Sequence, residues 1–327
     1  MQPSAIEKAL GVLLELRQPT FLWGPPGVGK SQVVAQVAAR KGLDLVDIRA
    51  VLLDPVDLRG VPAFNEAGET VWRPPSFLPK RGQGVLFLDE LNTAPPLVQA
   101  ACYQLILDRR LGEYILPDGW TVIAAGNRES DRAVTHRMPS ALANRMVHLD
   151  VEPDIDDWLV WAKHNGVDPR IRAFLRFRPK LLHAFDPKAN AKAFPTPRSW
   201  AFVSHIVSVP SDVNILSALI SGAVGQGAAA ECMEFLRICD SMPTPNEVMA
   251  NPETVPLPDD PAVVLALCEA VSREASCATM PDIARFASRL PVEFSVLLMR
   301  EAAFVEPDIV ETEAFKGWAC ANSDVLV

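Results

Sequence analysis

Gly24-Pro25-Pro26-Gly27-Val28-Gly29-Lys30-Ser31 meets the pattern G-x-x-x-x-G-K-S/T in full. Glycines in such a loop let backbone N–H groups close around a phosphate chain. The lysine neutralises the outer phosphates, and the serine hydroxyl helps hold Mg²⁺. Gly24 to Ser31, with the adjoining Gln32, are therefore candidate nucleotide-binding residues, and Ser31 is also a candidate metal ligand. Farther along, the apolar run Gly84-Val85-Leu86-Phe87-Leu88 ends in Asp89 and Glu90. Downstream of a phosphate loop, an acid at Asp89 would hold Mg²⁺ through its water shell. The next acid, Glu90, would orient or deprotonate an attacking water. Asn127 ends another apolar run, where an amide could position water or contact a γ-phosphate; a turn-forming asparagine is the competing reading. Arg145 lies between a short helix and a strand, a place from which a cation can point at a neighbouring subunit's γ-phosphate. Arg137 competes for that role. Arg198 lies in the first turn of a helix, where the helix dipole disfavours a cation, so a phosphate-directed role explains it better than a surface one.

The elements that must position these residues can be read from apolar patterning. Pro19 to Trp23 is a short strand ahead of the loop, and Ser31 to Arg40 is a helix stopped by Gly42. This order aims a helix N-terminus at an anion. Leu43 to Ile48 alternates as a second strand. Gly84 to Asp89 and Val122 to Asn127 are continuous apolar runs, as parallel strands covered on both faces require, and Met146 to Val151 is a fifth strand. Helices lie between them, over Pro95 to Arg110 and Pro139 to Asn144. Strands alternating with helices predict an α/β parallel sheet, whose ligands bind at the carboxyl ends of the strands. Ser4-Ala5-Ile6-Glu7 fits a capping box for a first helix. Hairpins are expected near residues 62–72 and 111–121, the second turning at Pro117-Asp118-Gly119. Beyond Pro153 the pattern is helical, with Met242 to Pro261 reading as a Pro-rich linker or extended loop ahead of a final helical segment. The expected division is 1–152, 153–241 and 242–327.

Composition narrows the function classes. The 327 residues are 49% hydrophobic and 22% charged, with a formal net charge of −9. That balance suits a globular protein and disfavours nucleic acid as the main partner, since sequence-independent binding to phosphate backbones needs a basic surface. Six cysteines are scattered without a C-x-x-C pair and read as buried thiols in a reducing compartment. No His/Cys grouping offers a zinc site. No basic-then-apolar leader and no membrane-length apolar run are evident, so the expected location is cytoplasmic.

The residues together resemble an AAA+ ATPase, and specifically the MoxR branch, which also holds the CbbQ and NorQ types. Gly24 to Ser31 is similar to the family's Walker A. Leu86 to Asn92 followed by Ala94-Pro95-Pro96 is similar to its Walker B and the continuation after it. Asn127 falls at sensor 1, Ala143-Asn144-Arg145 at the arginine-finger box, and Pro197-Arg198 at sensor 2. Thr93 and Met146 depart from the residues usual at their positions. The resemblance covers roughly residues 4–240. It implies a P-loop AAA+ module, a parallel five-stranded sheet with helices on both faces, followed by an all-helical lid and a C-terminal helical extension. It further implies ATP and Mg²⁺ as ligands, a ring that is usually a hexamer, and chaperone-like activation of a partner complex, often one with a von Willebrand factor A domain protein. A switch in which ATP binding alone gates partner assembly is the alternative.

Overall fold

The computed structural model describes residues 1–131, 138–189 and 191–325. The chain divides into two compact units. The first comprises Met1–Trp158, His183–Ala191 and Thr196–Arg198; the second comprises Leu159–Leu182, Lys192–Pro195 and Ser199–Val327.

Nine strands occur among the described residues of the first unit: β1 Thr20–Trp23, β2 Asp44–Arg49, β3 Val61–Phe64, β4 Thr70–Arg73, β5 Gln83–Asp89, β6 Arg110–Leu111, β7 Tyr114–Ile115, β8 Gly119–Gly126 and β9 Val147–Asp150. Five of them form one parallel sheet in the order β2-β5-β8-β1-β9. Successive residues of a strand face opposite sides of its sheet, and the core follows that rule. Leu86, Leu88, Val122 and Ala124 pack with Val98, Ala101, Cys102 and Leu105 of helix Pro96–Asp108 on one side. Val85, Phe87, Ile123 and Ala125 pack on the other with Ile6, Leu10 and Leu14 of helix Pro3–Glu15 and with Val33, Val34 and Val37 of helix Lys30–Arg40. Burial on both faces is why β5 and β8 carry unbroken apolar runs. The chain thus has the expected P-loop AAA+ fold: a five-stranded parallel sheet between helices, then a helical region.

Three local expectations are corrected. The Ser4–Glu7 capping box does not form, because the helix starts two residues earlier than that box requires, at Pro3, with Gln2 as its N-cap. The Ser4 N–H donates to Asp157 (2.7 Å) and Glu7 pairs with Arg40 instead. The second hairpin turns at Gly112 (φ +60°), pairing Arg110–Leu111 with Tyr114–Ile115. Pro117 to Gly119 leads instead into β8, which runs parallel to β5. Trp120 decides this, since its ring is buried and its indole N–H donates to the Arg81 carbonyl (3.1 Å). The first hairpin pairs β3 with β4, Pro62 opposite Trp72, around Gly68 at φ +76°. Its Trp72 N–H donates to Glu113 of the second hairpin (3.0 Å).

The third correction concerns the second unit. The stretch expected as a linker holds helix Pro245–Ala250, opened by a Thr244/Glu247 capping box. Val248 and Val255 are buried in its core, and the Arg289 guanidinium donates to the carbonyls of Pro252 (2.9 Å) and Val255 (2.7 Å). Helix Pro261–Ser272 packs against Pro169–Phe177 and Val292–Val305. Across it lies a buried ion pair, Arg172 with Glu269 (3.2 Å). Cys102, Cys232, Cys239 and Cys268 are buried, their thiols pushed up to about 12 by burial, whereas Cys277 and Cys320 are exposed. No helix among the described residues is long and apolar enough to cross a membrane.

Candidate nucleotide-binding site

The loop leaves β1 at Trp23, between β8 and β9, and closes into helix Lys30–Arg40. Two of its glycines take left-handed backbone, Gly27 (φ +75°) and Gly29 (φ +99°), where an L side chain is strained. A Cβ at Gly27 would also lie 2.8 Å from the Thr196 side chain, whereas one at Gly29 would meet nothing within 4 Å among the described residues. The loop is thus tight under Thr196 and open at Gly29, beside first-turn N–H groups that have no intrahelical acceptor. Val28 is 5% exposed and packs into the core with Val33 and Val34, so its backbone rather than its side chain is available to a ligand. Gln32 is exposed.

Four of the expected residues converge. Lys30 Nζ donates to the carbonyls of Gly24 (2.6 Å) and Pro25 (3.2 Å) and to Asn127 Oδ1 (3.1 Å). Ser31 Oγ donates to Asp89 Oδ2 (2.8 Å), and Asp89 Oδ1 accepts from the Glu90 N–H (2.9 Å). The hydroxyl and carboxylate form an all-oxygen pair that suits Mg²⁺, which uses one or two protein oxygens and completes its shell with water and phosphate. Burial pulls the Lys30 ammonium down to about 8; Asp89, Asp131 and Glu90 oppose that shift, and Arg198 adds to it. A cation held only by neutral acceptors in a desolvated site gains from an arriving anion.

Glu90 is exposed and adopts φ +54°, a left-handed turn that ends β5 at once and opens a short 3₁₀ turn over Leu91–Thr93. Arg198 is exposed, and its charge acts on Lys30. Arg145 does not join this group. Its carbonyl accepts from Gln18 Nε2 (3.4 Å), and β9 begins beside Thr20, so Arg145 lies at the amino ends of the strands. From Gln18 to Gly24 is about 20 Å at the rise of an extended strand. Arg137 lies outside the described residues.

Three contributors escaped sequence reasoning. Asn92, 3% exposed, donates from Nδ2 to the Asn127 carbonyl (2.7 Å). Asp131 acts on both Lys30 and His183. His183 Nε2 lies 3.3 Å from the Pro26 carbonyl, and burial lowers its proton affinity. The only sequence signal for any of them was the place of Asn92 two residues after Glu90.

Comparison with known proteins bears on these same residues. Residues 19–146 match the family described as AAA domain (dynein-related subfamily). Midasin of Giardia intestinalis is 31% identical over 172 residues, covering 48% of this chain. The chain spans only 4% of that relative's length. Among solved structures, NtrX from Brucella abortus in complex with ADP is 15% identical, with a TM-score of 0.43 over 99% of this chain and 68% of its own. A point mutant of Thermotoga maritima RuvB is 16% identical, with a TM-score of 0.42 over 76% of each chain. With the phosphate loop, the sheet order and the family match in agreement, residues 19–146 form an AAA domain of the AAA+ ATPase class.

Proposed function

We propose that the chain is an ATP-hydrolysing ring ATPase of the MoxR type that remodels or activates a partner protein complex. The convergence of Lys30, Ser31, Asp89 and Asn127 at the carboxyl ends of β1, β5 and β8 carries the reading. In it, backbone N–H groups of Gly24 to Gln32 cradle the triphosphate, and Lys30 exchanges its neutral acceptors for phosphate oxygens. Glu90 orients and deprotonates the attacking water, Asn127 holds that water against the γ-phosphate, and Arg198 contributes positive charge. Bound Mg²⁺, held by Ser31 and through water by Asp89, would neutralise charge on the β- and γ-phosphates.

Arg145, about 20 Å of strand away from its own loop, then serves a neighbouring subunit, which calls for a closed ring, a hexamer in our reading. A von Willebrand factor A domain protein as partner, and a cytoplasmic setting, rest on the MoxR resemblance. The decisive measurement is steady-state ATP turnover of wild type against Glu90→Gln at concentrations where subunits assemble. Turnover lost in the variant, with ATP binding kept, is the expected result. A wild-type rate no faster than the variant's rejects hydrolysis and favours a nucleotide-gated switch, in which partner binding follows ATP occupancy alone.

A further inference from the structure

A line of neutral polar side chains leads away from the phosphate loop through the interior of the sheet unit. It begins at Lys30, whose ammonium donates to Asn127 Oδ1 (3.1 Å). The Asn127 carbonyl accepts from Asn92 Nδ2 (2.7 Å). Asn92 in turn is held by Gln99, whose Nε2 donates to the carbonyls of Asn92 (3.4 Å) and Ala94 (2.8 Å). The Tyr103 hydroxyl donates to Gln99 Oε1. Gln99 and Tyr103 stand one turn apart on helix Pro96–Asp108, which feeds directly into the β6–β7 hairpin.

Several observations set this line apart from ordinary core satisfaction. Asn92 and Gln99 are each 3% exposed, and a buried amide is costly unless bonded. Yet Asn92 Oδ1 has no hydrogen-bond partner among the described residues. A buried carbonyl oxygen left bare is costly, so an apolar residue would serve packing better. The same oxygen presses on β8, where a Cβ at Gly126 would come within 2.1 Å of it. Asn92 therefore grips β8 at two successive residues, beside Gly126 and at the carbonyl of Asn127, on the strand end that carries the lysine's partner.

We infer that Asn92 is a positioning residue, which sets Asn127 against Lys30 and joins the phosphate loop to helix Pro96–Asp108 through Gln99 and Tyr103. The inference rests on the nucleotide-site reading above. A phosphate that draws Lys30 off Asn127 Oδ1 releases one end of the line, and the change is passed by hydrogen bonds to the helix and to the hairpin Arg110–Ile115. No net charge moves along it, because every member past Lys30 is neutral; the line carries geometry.

The test compares wild type, Asn92→Ala and Gln99→Met, all confirmed as folded by thermal melting, using a fluorescent ADP for affinity and hydrogen exchange with and without ADP. In wild type, ADP is expected to change amide exchange across residues 96–115. Asn92→Ala should bind ADP within about threefold of wild type, since it touches no phosphate, and should lose that distal change. Its ATP turnover should fall about tenfold at nearly unchanged KM, the mark of lost positioning rather than lost binding. Gln99→Met, which leaves Asn92 in place, should show the same loss of distal exchange with a smaller drop in turnover, and it decides the matter if Asn92→Ala does not fold. An ADP-induced change at 96–115 that survives in the folded variants overturns the inference. So does wild type that binds ADP without any change there. Wild type that fails to bind ADP at all overturns the nucleotide-site reading itself.

Discussion

Lys30 offers a quantitative handle on the site. Burial lowers its ammonium from 10.5 to about 8, with Arg198 adding to the shift and Asp89 opposing it. Phosphate oxygens around Nζ should restore the ordinary value, so binding is coupled to proton uptake. At pH 7 a group titrating near 8 already carries its proton, and uptake is about 0.1 per site; at pH 8.5 it is about 0.75. Affinity should be level below pH 7.5 and weaken about 30-fold between pH 7 and 9.5. Calorimetry of ADP binding in two buffers of different ionisation enthalpy measures the uptake, and Lys30→Met subtracts the nucleotide's own protonation changes. Uptake below about 0.2 at pH 8.5, or equal dissociation constants at pH 7 and 9.5, would refute the claim that the lysine is held desolvated and unneutralised.

Other expectations follow from single contacts. Gly27→Ala combines a positive φ with a Cβ 2.8 Å from Thr196, and should lower stability by about 1–2 kcal/mol while weakening nucleotide binding, both readable by melting with and without ADP. If Arg145 serves its neighbour, Arg145→Ala and Glu90→Gln should each be inactive alone, yet mixed and reassembled they should regain activity at sites where an intact arginine faces an intact Glu90; no recovery on mixing rejects a trans role. Glu269, whose carboxyl is raised to about 7 by burial despite Arg172, binds its proton more tightly folded than unfolded. Its contribution to stability is therefore present below pH 4.5 and lost as pH rises through 7, about 3 kcal/mol in all. Glu269→Gln should flatten the dependence of melting temperature on pH over that window.

Much of the fold was legible because the sheet strands are continuous apolar runs whose pattern reports burial on both faces. The phosphate loop, Asp89 and Asn127 were legible because their residue types sit at strand ends in an order that has one obvious chemistry. What escaped depended on contacts distant in sequence. The two-residue strands β6 and β7 are too short for periodicity, and Pro117–Gly119 carries the stronger local turn signal, which the burial of Trp120 on the Arg81 carbonyl overrides. Helix Val213–Val224 buries only Ile220 and Val224 and leaves Val213, Ile215 and Leu219 exposed, so its apolar residues do not mark one core-facing stripe. The segment around Pro245 looked like a linker by composition, although Thr244 and Glu247 held the capping signal. Asn92 gave no hint of burial, since the groups it meets, Gly126, Asn127 and Gln99, come from β8 and the following helix.

The alternation along β5 and β8 has a consequence for how this domain can vary. Val85, Phe87, Ile123 and Ala125 share a core with Val28, Val33 and Val34, which underlie the phosphate loop. Leu86, Leu88, Val122 and Ala124 share theirs with the helix that carries Gln99 and Tyr103. The two cores have the backbone in common and no side chain. Substitutions at odd and even positions of one strand therefore fall into separate classes, one loosening the grip on ligand and the other the mechanical linkage to the hairpin. Selection can retune either property while the other stays fixed, one methyl group at a time.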